Sequence, residues 1–300
     1  MKGWLINDIL TCIPGTKTLW HDLLDWIPNL VDPVNGYVPF GQLNSFINQK
    51  SQAEGAPDFV IRNCTFFPPL GIKTKTVSIL QDIYDGPQKQ QQIEVANSSD
   101  LVIYNSNFTK SFYQDQVTSD SVVIPLGIDF DHFCPKEVSH PEVLPNSVLF
   151  IGAANNYPKG FDTVKSLVEN TDYNFCLVMK DGFSWEHPRV RVFNKVNHDE
   201  LVTIINSCKV AICTSVHETQ HLAGLECAAC DVPIVATDVG CYHGIENGPW
   251  GHKAKRLEDF IEGLRIVLSD LDNYSPRSYF KDYDKSAISK MWQDAIESIL

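Results

Sequence analysis

Two carboxylates stand in the second half of this chain with seven residues between them. Glu218 and Glu226 bracket the stretch Ser215-Val-His-Glu-Thr-Gln-His-Leu-Ala-Gly-Leu-Glu-Cys-Ala-Ala-Cys-Asp-Val-Pro-Ile-Val-Ala-Thr-Asp-Val-Gly240. Carboxylates are acceptors only, so they suit ligands that present hydroxyls. An apolar strand over 210–213 enters the stretch, and a second over 234–236 leaves it. Between them the Ala- and Leu-rich run predicts a helix over about 220–230. At about 1.5 Å rise per residue the two carboxylates stand on the order of 10 Å apart along the axis. A helix N-terminus lies between them, with free N–H groups and a positive dipole end that suit phosphate. A diphosphate carrying a sugar on each side fits that layout. Taken alone, the two Glu residues also read as a helix N-terminal carboxylate and a solvated helix face.

The strand–loop–helix–strand unit belongs to a parallel α/β sheet. The Glu218/Glu226 spacing, the small-residue helix and Pro233-Ile-Val-Ala-Thr-Asp-Val-Gly240 together resemble the E-x7-E signature of family 4 (group 1) glycosyltransferases. These are retaining enzymes of GT-B fold that use nucleotide sugars. The resemblance implies two Rossmann-like domains with parallel sheets facing across a cleft, and no metal. It implies no cofactor beyond the nucleotide-sugar donor as co-substrate, with a UDP-sugar in first place. Glu226 would accept hydrogen bonds from ribose hydroxyls, and Glu218 would hold hydroxyls of the transferred sugar. The backbone around Thr219, Gln220, His221 and Leu222, together with Lys159, would stabilise charge on the departing diphosphate. His221 takes a place usually held by Gly, and His243 and Gly244 follow in a loop that approaches the donor in relatives.

Other positions carry the resemblance with departures. Relatives hold an Arg just after the first glycine of the second domain and a Lys six residues later. Here Lys159 is in place, whereas the Arg position is Ala153. Without its register, Lys159 reads as a solvated loop lysine. Relatives often place a His-Asp pair at a strand end facing the donor sugar, and here the pair is Gln81-Asp82. Gln81 can hydrogen-bond a hydroxyl but cannot shuttle a proton, and Asp82 reads equally well as a loop cap. The loop Asn194-Lys195-Val196-Asn197 would meet the base through backbone groups of Lys195 or Val196. The glycine-rich loop expected after the first strand is reduced to Gly15 after Pro14. Asp129 and Asp131 imitate a DxD metal motif but fall in the family's interdomain linker, which argues against that role.

Composition narrows the alternatives. Three hundred residues, 43% of them hydrophobic, suit two domains with real cores, and a formal charge of −13 argues against nonspecific attraction to nucleic acid or anionic lipid. No run of eighteen apolar residues is present, and Asp8 interrupts the N-terminus too early for a signal-peptide core. Nine scattered cysteines point to reduced thiols in a cytoplasmic setting. Cys227 and Cys230 form a CxxC, but both fall on the expected helix and no second CxxC completes a zinc site. Trp4, Trp20 and Trp26 read as core or interface residues, because no basic cluster accompanies them.

The domains expected are an acceptor-side domain over 1–140 and a nucleotide-sugar domain over 141–284, with a last helix over about 285–300 returning to the first. Ser106 or Asn107 is read as a helix N-cap. Overall the sequence implies a cytoplasmic, metal-independent, retaining glycosyltransferase. The acceptor is left open between glycan, lipid, protein and modified nucleobase. Two alternatives stay beside it: a non-catalytic sugar-nucleotide or glycan-binding protein, and a GT-B epimerase or phosphorylase.

Overall fold

A computed structural model describes residues 2–6, 14–33, 41–63 and 69–300, with side chains omitted at 14–17 and 63. The chain divides into two compact units, residues 1–127 with 286–300, and residues 128–285. Among the described residues no helix is long and apolar enough to cross a membrane.

In the first unit the strands are β1 (Gly3–Ile6), β2 (Leu30–Val31), β3 (Phe59–Asn63), β4 (Lys75–Leu80), β5 (Leu101–Tyr104) and β6 (Ser121–Val123). They form one parallel sheet in the order β2-β1-β3-β4-β5-β6. Its helices are α1 (Pro14–Trp26), α2 (Leu43–Glu54), α3 (Gly86–Asn97) and α4 (Asn107–Tyr113). Strands buried on both faces read as apolar runs with little alternation, which is why β1 and β5 were legible. Ser106 caps α4, its Oγ accepting from Thr109 N at 3.0 Å. Trp4 is fully buried against Ile47 of α2 and its neighbours, and Trp20 and Trp26 lie half-buried against a second core cluster.

The second unit holds β7 (Ser147–Gly152), β8 (Asn174–Met179), β9 (Val190–Asn194), β10 (Val210–Cys213), β11 (Ile234–Ala236) and β12 (Gly251–Lys253). Its sheet is again parallel, in the order β12-β11-β10-β7-β8-β9. Counting from β7, that is the doubly wound order 3-2-1-4-5-6. Between the strands run α5 (Phe161–Asn170), α6 (His198–Ser207) and α7 (Leu222–Ala229); α8 (Leu257–Ser269) and the short α9 (Pro276–Tyr279) follow the last strand. The inward residues of β7 and β8, Val148, Phe150, Phe175, Leu177 and Met179, pack with α5 and α8 on one face.

Three expectations are corrected. The boundary near residue 140 moves to 127/128, because the linker packs with the second unit: Lys136 N donates to Asn206 Oδ1 at 2.8 Å, and His140 N to Ser207 Oγ at 2.7 Å. The final helix, α10 (Lys285–Glu297), buries Ile288, Trp292 and Ile296 in a cluster with Ile79 and Ile124 of the first unit. Second, the helix expected over 220–230 is α7, Leu222–Ala229. His221 takes a left-handed conformation (φ 69°) that the helix cannot extend through. At the other end Asp231 is left-handed (φ 62°), with Asp231 N bonded to Ala228 O and Val232 N to Cys227 O. That is a Schellman stop without its usual glycine. Third, the edge strands β2 and β12 were not expected, since two or three residues hold no readable period. The aspartates of the linker have a local role: Asp129 Oδ1 accepts from the amides of Asp131 (3.1 Å) and His132 (2.9 Å).

Candidate active site

In an open parallel sheet, ligands settle beyond the carboxyl ends of the strands where the strand order reverses. In the second unit that point lies between β7 and β10, which pair directly. The loop after β7 brings Lys159 and the segment after β10 brings Glu218. Two hydrogen bonds to backbone carbonyls clamp the two together: Val216 N donates to Pro158 O at 2.8 Å, and Thr214 Oγ1 donates to Lys159 O at 2.8 Å. Gly160 makes this approach possible. Its φ is +64°, and an added Cβ would lie 2.0 Å from Thr214 O. The outcome is a short contact in which Lys159 Nζ donates to Glu218 Oε1, and Ser215 Oγ donates to the same oxygen at 3.0 Å.

Glu218 is half-buried. Burial is the largest single influence on its carboxyl and opposes ionisation. The fields of His221 and Lys159 and the two hydrogen bonds outweigh it, so the carboxyl titrates below its ordinary value. His221 is itself brought down to about 4 by burial and is neutral at pH 7.

His221 is buried, with Nδ1 3.0 Å from Tyr242 Oη. The bonds of Gly224 N and Leu225 N to His221 O begin α7, which leaves the amides of Leu222 and Ala223 ahead of the ladder. Gln220 is buried, and its carbonyl accepts from Cys241 N at 3.0 Å. That approach needs the left-handed Gly240 (φ +56°), where a Cβ would meet the Gln220 backbone at 2.7 Å. Thr219 and Leu222 are half-buried. Glu226 lies one turn into α7 and is also half-buried. Burial pushes its carboxyl up to about 7, against the opposing pull of the Lys180 ammonium. The two carboxylates therefore differ in character: Glu218 is a committed anion, whereas Glu226 is poised between its two states at neutral pH.

The remaining expected residues divide between the units. Lys195 is left-handed (φ 57°) and exposed, and Val196 is half-buried beside it, after β9. In the loop bearing His243, Gly244 N donates to Asp238 Oδ1 at 3.0 Å and Lys253 Nζ reaches the same oxygen at 2.6 Å. In the first unit, Gln81 is buried directly after β4 and its carbonyl accepts from Asn105 Nδ2 at 3.4 Å. The Asp82 carbonyl accepts from Tyr113 Oη at 3.0 Å, while its Oδ2 is buried without a hydrogen bond among the described residues. Burial raises the Asp82 carboxyl. Gly15 lies in the first turn of α1, and residues 7–13 before it are outside the described residues. Cys227 and Cys230 are buried thiols; burial raises both, Cys230 to about 12.

Sequence reasoning missed Lys180. It follows β8, carries an exposed side chain, and its amide donates to Gly152 O at 3.0 Å, next to the uncharged Ala153. A lysine directly after an apolar strand at a sheet's carboxyl edge was the available signal.

Residues 145–270 match the family model described as Glycosyl transferases group 1. The matched residues fall within the second unit, residues 128–285. An uncharacterised glycosyltransferase of Methanocaldococcus jannaschii is 26% identical over 194 residues, which is 58% of this chain and 53% of that protein. The chain thus aligns with about half the length of that curated relative. Among solved structures, Anabaena HepE in complex with UDP is similar with a TM-score of 0.76 at 15% identity, covering 99% of this chain and 100% of that one. Sucrose-phosphate synthase from Thermosynechococcus elongatus gives 0.74 at 12% identity over 100% and 99%. The lipopolysaccharide outer core galactosyltransferase WaaB gives 0.74 at 15% identity over the full length of both chains. These likenesses establish the GT-B fold, an α/β architecture of two parallel sheets.

Proposed function

We propose that the protein is a retaining glycosyltransferase of the family 4 type, moving a sugar from a nucleotide-sugar donor to an acceptor. The observation that carries this reading is the pairing at the strand-order reversal. Glu218 is held as an anion by Lys159 and Ser215, and Glu226 stands further along the same segment on α7. In this reading Glu226 accepts hydrogen bonds from the ribose, and Glu218 accepts them from hydroxyls of the transferred sugar. Hydrogen bonds to a charged acceptor contribute about 1.5–3 kcal/mol each. As the glycosidic bond to the donor breaks, negative charge grows on the diphosphate. Lys159 and the amides of Gln220 to Leu222 are placed to stabilise that charge.

No protein nucleophile is assigned. The acceptor attacks on the face the diphosphate leaves, and the departing phosphate oxygen takes the acceptor's proton. Gln81 and Asp82 of the first unit are assigned polar contacts with sugar hydroxyls, with Gln81 acting as a hydrogen-bonding group only. The structure of HepE with UDP favours UDP as the nucleotide. Metal independence is carried over from the family resemblance.

The test is a thermal-shift panel of UDP-, GDP-, ADP- and TDP-sugars on the wild type and on Glu226→Ala, followed by transfer assays with and without chelator. At a hundred times its dissociation constant a ligand adds about 2.7 kcal/mol. A shift with one nucleotide class, lost in Glu226→Ala, and a product of retained anomeric configuration are expected. Binding without any transfer or donor hydrolysis would turn the reading toward a binding protein, and an inverted product or a trapped covalent glycosyl-enzyme would refute the mechanism.

A further inference from the structure

The charges at the strand-order reversal do not balance for an anionic ligand. Lys159 is already engaged by Glu218, and Glu226 adds a second carboxyl on α7. A diphosphate arriving there requires a cation with a free hand. Lys180 has one: among the described residues its ammonium makes no hydrogen bond or ion pair.

Strand geometry says where this lysine lies. Alternate residues of a strand face opposite sides of the sheet. Phe175, Leu177 and Met179 face the α5/α8 side, so Cys176, Val178 and the position directly after the strand share the other side. Cys176 marks that side. Its thiol is pushed well up by Cys208, by burial and by Cys227, the last on α7. Lys180 therefore leaves the sheet on the α7 side, at the carboxyl edge. The β7–β8 register pairs Gly152 with Met179, and Lys180 N donates to Gly152 O at 3.0 Å. One residue on, Asp181 Oδ2 accepts from Asn155 N at 2.9 Å. Two bonds thus fasten the Lys180-Asp181 pair beside the loop that follows β7, where Ala153 supplies no charge. The Lys180 charge acts on both His221 and Glu226, which places it within electrostatic reach of the start of α7.

We propose that Lys180 is the second cation of the donor site, contacting the diphosphate of the nucleotide sugar opposite Lys159. This rests on the nucleotide-sugar reading above and deepens it. The arrangement divides the labour: Lys159 holds Glu218 in place, and Lys180 supplies the uncommitted positive charge.

The experiment measures dissociation constants for UDP and for uridine by calorimetry on the wild type, Lys180→Met and Lys180→Arg, with the GDP/guanosine and ADP/adenosine pairs run in parallel. Loss of one charged hydrogen-bonding contact should weaken the nucleoside diphosphate about ten- to a hundredfold in Lys180→Met and leave the nucleoside within about twofold. Lys180→Arg should restore most of the difference, and the salt dependence of diphosphate binding should shrink in Lys180→Met. Equal weakening of diphosphate and nucleoside would overturn the proposal, because Lys180 would then act only by keeping Glu226 ionised. Unchanged diphosphate binding in Lys180→Met would overturn it alone. A wild type that binds none of the three nucleoside diphosphates would overturn the nucleotide-sugar reading as well.

Discussion

Glu226 offers a test whose direction follows from the structure. Burial brings its carboxyl from 4.5 to about 7. If ribose hydroxyls donate to the ionised form, donor affinity must rise with pH through that value. A group titrating at 7 is about 9% ionised at pH 6 and about 91% at pH 8, so affinity for UDP-glucose should improve roughly tenfold across that interval, about 1.4 kcal/mol. A nucleotide sugar is the right probe, since its esterified diphosphate does not titrate there, as that of free UDP does. His221, at about 4, stays neutral throughout, and Glu218, held low, stays ionised. Glu226→Gln should bind more weakly and with no contribution from this step. Stability should move the opposite way. A carboxyl whose folded value lies above its unfolded value takes up a proton on folding, so its stabilising contribution is present at low pH and is lost as pH rises through 4.5 toward 7. The shift bounds the loss at about 3 kcal/mol. Glu226→Gln should therefore raise the melting temperature more at pH 8 than at pH 5. Calorimetric titration and thermal melts at pH 5, 6, 7 and 8 read both effects. Donor affinity in the wild type that is flat from pH 6 to 8, or that falls, would refute the assignment of Glu226 as an ionised acceptor.

Four further outcomes follow. Lys159→Met should lower transfer by about a hundredfold or more, because it removes a charge-stabilising donor and frees Glu218 from its partner; kcat/KM measured on the identified donor checks it. Gly160→Ala forces a side chain into a left-handed position against Thr214 O and should destabilise by more than about 1 kcal/mol, read by denaturant unfolding, with donor affinity falling as Lys159 moves. Asp82→Asn removes a carboxyl that burial raises, so it should leave stability at pH 7 unchanged or higher while lowering transfer; equal loss of both would assign Asp82 to the fold alone. His221→Gly relieves a left-handed side chain but gives up the contact with Tyr242 Oη, so the melting temperature should move by less than about 1 kcal/mol equivalent and without pH dependence between 6 and 8.

Most of the second unit was legible because its strands are short apolar runs between clear helix patterns. The expected strands over 174–179, 210–213 and 234–236 are those observed. The linker was misassigned for a non-local reason: its polar contacts go to Asn206 and Ser207 on α6, more than sixty residues away, and no short window of sequence contains both partners. The first unit was readable as strands and helices, but Gly15 carried little signal, and the loop before it lies outside the described residues. The start of α7 was misplaced because a helix period says where apolar residues recur, whereas His221 sets the start by its backbone dihedral.

The sequence by itself determined the parallel α/β class, the two carboxylates with seven residues between them, the lysine at 159 and the absence of an arginine after Gly152. These are matters of residue type and short spacing, which survive translation along the chain. Only the tertiary structure decided how those groups behave. Lys159 and Glu218 are brought into contact across fifty-nine positions by the pairing of β7 with β10 and the Gly160 approach. Their surroundings separate two chemically identical carboxylates: partners hold Glu218 ionised against burial, whereas burial poises Glu226 near 7. The proposed role of Lys180 depends on the strand order, which sets β8 beside β7 and so brings the lysine next to the loop where Ala153 supplies no charge.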